Sequence, residues 1–291
     1  MYGAIATNKR NTILIMAVFV GIVSGIGYLV SLYFGDTSIT LWVLVAAFLY
    51  ALFQYFAASK LAVAMNGARE IEKKDNPRLY RIVENLAITT GMPTPKIYLI
   101  DDPAPNAFAT GRNPQHAIVG ATTGLLEIMN DREVTAVMAH EMGHVQNYDI
   151  RVSMISFGLV SAIGLLSDIV LRMLFFGGDR RDNVHPAVYI VGIIVIILAP
   201  IIAAMVQMAV SRQREYLADA SGALTTRDSE GMASALEKLL QFGKPMQHQN
   251  SASANLFLSN PLKPSFLSKL FSSHPPLEDR IARLRDNANK F

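Results

Sequence analysis

Four apolar stretches, approximately Ile13 to Phe34, Thr40 to Ala57, Val152 to Phe176 and Ala187 to Val210, set the terms on which this chain can fold. Each approaches the ~20 residues that a helix needs to cross a bilayer. With 51% hydrophobic residues and a positive mean hydropathy, they point to a membrane protein. The first stretch follows Lys9 and Arg10 and has no small-residue cleavage site behind it, so it reads as an uncleaved anchor. Only Gly35, Asp36, Thr37 and Ser38 separate it from the second, which makes the pair a hairpin with its turn outside. Lys60, Arg69, Lys73, Lys74, Arg78 and Arg81 then mark the cytoplasmic side. Arg180 and Arg181, offset by Asp179 and Asp182, make the sidedness of the second hairpin less clear-cut. Gly21, Ser24 and Gly25 are expected to let the first helix pack closely, and Asp168 with Arg172 to form a pair on one face of the third stretch.

The polar remainder reads as α+β. Asn76 and Pro77 open a helix that ends near Gly91. Lys96 to Ile100, Ala107 to Thr110 and His116 to Gly120 are β-prone and separated by turn residues, so a small sheet is expected. A helix capped by Asp131 runs through the 140s; others cover Ser211 to Ala223, Glu230 to Phe242 and Pro276 to Asp286, with a loop over Gly243 to Pro264. The fold expected is mainly α-helical, α+β, with two transmembrane hairpins and a cytoplasmic domain built around a small β-sheet. Its parts are a hairpin at 1–59, the first portion of that domain at 60–151, a second hairpin at 152–210 and the second portion of the domain at 211–291.

A net charge of +3, with its basic residues dispersed, gives no nucleic-acid footprint. Without cysteine there is no disulfide framework, thiol catalysis or thiolate metal site, which leaves His, Asp and Glu as ligands. His140-Glu141-Met142-Gly143-His144 is an H-E-x-x-H motif inside an expected helix. Four residues turn an α-helix by about 400°, so both imidazoles leave one side, as two ligands of a single ion must. Glu141 lies about 100° round, where it reaches a water at the metal without binding the metal itself. Glu215 supplies a third ligand, and two His with one Glu leave the fourth zinc position open. Asp219, one turn on, can accept the remaining N–H of a ligating His. Taken alone, Glu215 and Asp219 would be a solvated helix face.

These features resemble the HtpX-type membrane-bound heat-shock metalloproteases, which are related to the CAAX prenyl endopeptidases. The resemblance rests on the early hairpin, Asn106 to Gly111, the motif at His140 to His144, Glu215 to Asp219, and Ser273-His274-Pro275-Pro276 followed by Arg280. It implies one Zn2+ per chain held by His140, His144 and Glu215, with Glu141 as general base. It makes Asn106, Ala107, Phe108 and Ala109 part of an edge strand on which extended substrate is laid. It also brings His274 and Arg280 to the site as stabilisers of the oxyanion, although spacing alone would put Arg280 on the exposed face of its helix. The implied role is cleavage of misfolded or damaged membrane proteins in a bacterial cytoplasmic membrane, beside other membrane proteases. His116, His185 and His248 fall in expected loops and receive no role. The rivals are an intramembrane protease, which the polar Glu127, Asp131, Arg132 and Glu133 before the motif disfavour, a chaperone or scaffold with a non-catalytic metal site, and a transporter.

Overall fold

The structure, a computed structural model, describes residues 2–156, 159, 212–247, 256–261 and 275–286. The third apolar stretch beyond Ser156 (apart from Leu159), the whole fourth stretch, Asp168 with Arg172, His185, His248 and His274 lie outside the described residues. The chain divides into two compact units, one formed by Met1–Lys9, Ser59–Met154 and Val210–Phe291, the other by Arg10–Ala58 and Ile155–Ala209.

Two long helices, α1 (Tyr2–Phe34) and α2 (Ser38–Met65), run through the expected first hairpin. Gly35 reverses the chain between them with a φ of 70°, a conformation open to glycine at little cost. The side chains of Phe19 and Tyr50 meet with ring centroids 5.9 Å apart, and Thr40 Oγ1 donates to Ser31 Oγ at 2.9 Å. A close approach falls at Gly27, whose absent Cβ would lie 2.7 Å from that of Val43; at the expected Gly21 and Gly25 nothing among the described residues lies within 4 Å of that position. Among the described residues α2 alone is long and apolar enough to cross a membrane. Leu41, Trp42, Phe48 and Phe53 on α2 are exposed, as a lipid-facing surface requires.

In the other unit, β1 (Ala68–Glu70), β2 (Lys96–Ile100), β3 (Ala107–Gly111) and β4 (Ala117–Thr122) form one sheet in the order β1-β2-β4-β3. β2 and β4 are parallel; β3 runs antiparallel to β4 and forms an edge. Both faces of β3 and β4 are buried, so these strands read as small or apolar throughout. Ala107, Ala109 and Val119 face a core shared with Val137, Met138 and Met142. Phe108 and Ile118 face a second cluster with Val63, Ile100, Met246 and Phe257.

Helix α3 (Pro77–Thr90) is capped by the side chain of Asn76, which accepts from Leu79 N, and ends at Gly91 with φ 66°. A short α4 (Thr123–Ile128) leads to α5 (Asp131–Gln146), the motif helix. Its cap is Asn130, one residue before the expected Asp131. Asn130 and Glu133 form a reciprocal capping box, while Asp131 takes the first helical position and pairs with Arg78 at 2.6 Å. Three further described helices follow: α6 (Arg212–Thr226), α7 (Ser229–Phe242) and α8 (Leu277–Asp286).

Candidate active site

Helices α5 and α6 lie against each other through two glycines. A Cβ on Gly222 would come 3.0 Å from the backbone N of His140, and one on Gly143 would meet Ala218 at 3.6 Å. The missing Cβ at Gly222 lets α6 approach until Glu215 faces the two histidines, while Gly143 leaves room for ordinary contact only.

His140 Nε2 and His144 Nε2 are 3.1 Å apart; Glu215 Oε2 is 3.8 Å from the first and Glu215 Oε1 is 3.6 Å from the second. Metal–ligand bonds of about 2.0–2.1 Å in a tetrahedral site put neighbouring ligand atoms about 3.3 Å apart, so the triangle fits one ion. The donor set of two imidazole nitrogens and one carboxylate suits zinc and leaves a coordination position open.

The far nitrogens are engaged from behind. Asp219 Oδ1 lies 2.9 Å from His140 Nδ1 and Asp149 Oδ2 lies 3.0 Å from His144 Nδ1, which leaves both Nε2 lone pairs for the metal. Arg280, fully buried, grips Asp219 through Nε at 2.8 Å and Nη2 at 2.7 Å, and its Nη1 stands 3.4 Å from Glu215 Oε2. It lies inward because Leu277, Ile281 and Leu284 share its side of α8 and join the core, contrary to the exposed position that spacing suggested.

Burial drives the His140 pKa down to about 4, the neighbouring Arg280 adding to the fall and Asp219 opposing it. Burial acts downward on His144 too, but its bond to Asp149 and the nearby Glu215 prevail and raise it to about 9. Glu141 is pushed up to about 7, chiefly by burial, with Glu215 adding to the rise and His144 and Arg280 opposing it. A carboxyl poised near neutrality is suited to taking and returning a proton.

The outer edge of β3 carries the chain's own residues 256–259. Leu258 N donates to Ala107 O at 2.9 Å, and Phe257 bridges to Phe108 in antiparallel register. The side-chain amide of Asn106 holds Ser259 both ways, Nδ2 donating to its carbonyl at 2.9 Å and Oδ1 accepting from its N–H at 3.1 Å.

The sequence profile described as Peptidase family M48 matches residues 73–288. The chain belongs to that family. Among the relatives that share most of its length, the "Protease HtpX homolog" of Tropheryma whipplei (strain Twist) is 56% identical over 291 residues, covering 100% of both chains. That of Limosilactobacillus fermentum is 48% identical, covering 98% of this chain and 99% of its own. Among solved structures, the crystal structure of S. mikatae Ste24p aligns with a TM-score of 0.53 over 98% of this chain and 67% of that one, at 22% identity, a likeness of fold.

This M48 peptidase is therefore a metalloprotease. Its structure brings together His140, Glu141, His144, Glu215, Asp219 and Arg280, and puts Asn106 to Ala109 at a sheet edge. His274 is outside the described residues. Sequence reasoning missed Asp149, which lies beyond the end of α5 and reaches back to His144 only because Tyr148 turns the chain with φ 62°. The signal available was Asn147 and Asp149 just after the motif, a polar pair that turns out to be buried.

Proposed function

We propose that this metalloprotease is a zinc endopeptidase of a bacterial cytoplasmic membrane, cutting extended segments of misfolded or damaged membrane proteins on the cytoplasmic side. The observation that carries the reading is the triangle of His140, His144 and Glu215, each histidine held from behind by a buried carboxylate. Zinc would be held by those three side chains and, when bound, supplies the Lewis acidity that polarises a scissile carbonyl and acidifies a water. Glu141 accepts the proton of the attacking water and returns it to the leaving amine. Arg280 fixes Asp219 and faces Glu215, so it keeps the third ligand and the His140 tautomer in place. His274, three positions before α8, is assigned to the charge developing on the carbonyl oxygen.

An extended substrate strand is assigned to the edge of β3 along Asn106 to Ala109, where it takes the place of residues 256–259, which now hold Ala107 O and the Asn106 amide. Residues 256–259 already use part of that edge in the same antiparallel manner, which supports the edge as a peptide-accepting one. The exposed apolar surface of α2 supports membrane anchoring.

The test is cleavage by detergent-purified protein of two polypeptides, casein and a destabilised membrane protein, with and without chelator. Cleavage of both, lost on chelation and restored by zinc, is expected. Restoration by another divalent metal but not by zinc would contradict the zinc assignment. Cleavage of casein with the membrane protein spared would contradict the substrate class.

A further inference from the structure

Asn8 stands near the start of α1, in the same compact unit as the catalytic helices, and is 4% exposed. Its side-chain NH2 has two protons to donate. Both are directed at the turn behind His144: Nδ2 lies 2.8 Å from the carbonyl of Asn147 and 2.6 Å from Asp149 Oδ1. The other oxygen of that carboxylate, Oδ2, receives His144 Nδ1 at 3.0 Å. One carboxylate is thus held between the N-terminal asparagine and a metal ligand.

The turn itself does not hold Asp149 by local preference. Tyr148 has φ 62°, the left-handed region that a residue with a Cβ adopts at a cost. Two cations lie against its ring, Lys9 Nζ at 4.7 Å and Arg151 Cζ at 4.9 Å from the centroid, and Arg151 Nε donates to Arg112 O at 2.6 Å. Asn8 bridges the residues on either side of this kink, and Lys9 covers the residue at its centre. Arg214, 3.8 Å from Asp149 Oδ1, adds a cation on the same oxygen.

We propose that Asn8 is a positioning residue of the metal centre: by holding Asp149 Oδ1, it aims Oδ2 at His144 and so fixes the imidazole that presents Nε2 to the metal. An amide suits the position because it donates twice and carries no charge; a carboxylate there would face Asp149 with like charge. The inference rests on the metal reading of His140, His144 and Glu215, and goes beyond it in giving the N-terminus of the chain a part in metal retention.

The experiment compares full-length, detergent-purified wild type with Asn8→Ala, Asn8→Ser, Asn8→Asp, Asp149→Asn and the double variant Asn8→Ala/Asp149→Asn. Zinc affinity is measured by chelator competition, kcat and KM separately, and the melting temperature on the metal-free protein. Removing a partner behind a metal ligand weakens binding by about 10–100-fold, and Asn8, acting through Asp149, belongs at the lower end. Asn8→Ala is expected to weaken zinc binding about tenfold and to lower kcat at unchanged KM, with Asn8→Asp worse and Asn8→Ser, which keeps one donor, between wild type and Ala. In the Asp149→Asn background, Asn8→Ala should add less than twofold. A variant that melts earlier yet keeps wild-type zinc affinity and kcat would reduce Asn8 to a staple of the N-terminus and overturn the proposal, as would full additivity in the double variant. If Asn8→Ala does not fold, wild-type zinc affinity in Asn8→Ser overturns it equally. A wild type that takes up no zinc would overturn the metal reading, and this inference with it; zinc uptake unchanged by substitution at Asn8 overturns this inference alone.

Discussion

The two motif histidines sit one helical turn apart, yet the protein gives them opposite protonation behaviour. His140, buried and beside Arg280, is neutral at any working pH, with a pKa near 4; His144, backed by Asp149 and facing Glu215, holds its proton up to about pH 9. Metal requires the neutral imidazole, so uptake by the metal-free protein releases one proton, from His144. Apparent metal affinity should therefore rise about tenfold per pH unit from pH 6 towards 9 and level off above it, as checked by chelator competition across that range. The stability of the metal-free chain runs the other way. His144 has a folded pKa above its unfolded value of about 6.5, so its contribution is complete below that pH and is lost as pH rises through about 9. Thermal melts of the metal-free protein at pH 6.5 and 9.5 test this, with the lower melting temperature expected at 9.5. At this scale the cluster was legible because helical spacing puts His140 with His144 and Glu215 with Asp219, and the need for a third donor beside the motif singled out Glu215. Asp149 was not, since its approach depends on a left-handed tyrosine that no periodicity signals.

Between helices, the site depends on how closely α6 approaches α5. Gly222 faces the backbone of His140, and a methyl group there would have to displace main chain rather than a flexible side-chain end. Gly222→Ala should cost about 1–3 kcal/mol by overpacking and, because the strain falls between His140 and Glu215, weaken metal binding as well. Calorimetry and chelator competition together check it; destabilisation with unaltered metal affinity would show that the helices move apart without opening the triangle. At the sheet edge, Leu258→Pro removes the N–H that donates to Ala107 O, and so loosens residues 256–259 from the strand assigned to substrate. A lower KM at unchanged kcat is expected in peptide-cleavage assays, whereas a raised KM would mean that this segment helps to build the substrate seat. Strands β2 to β4 were readable from β-prone runs between turn residues. The three residues of β1 and the six of α4 were too short to carry a periodic signal, and the sheet order needed the tertiary structure. Helix α8 was readable as a helix, but the inward stripe of Leu277, Arg280, Ile281 and Leu284 outweighed the ordinary preference of arginine for water.

Across the whole chain, hydropathy located the first two helices, and the turn at Gly35 to Thr37 separates them as expected; α2, however, continues past the basic Lys60 to Met65, where Val63 joins the core beside β2 and β3. At about 1.5 Å per residue its 28 residues are longer than a hydrocarbon core of about 30 Å requires, which accounts for an apolar helix ending inside the catalytic unit. The proposed topology puts Asp36 outside and Glu72 in the cytoplasm. Because the chain has no cysteine, Asp36→Cys and Glu72→Cys each introduce a single thiol. An impermeant maleimide applied to intact cells, with the outer envelope opened, should label the first and spare the second until the membrane is lysed; the reverse pattern would put the catalytic unit on the other side.

The most direct test of the account is metal content and cleavage rate measured on one preparation of Glu141→Gln. One zinc per chain with cleavage reduced by a factor of about 10² to 10⁴ is the predicted result, because the ligands are intact and the group that moves the proton is gone. Cleavage at the wild-type rate with the metal in place would contradict it.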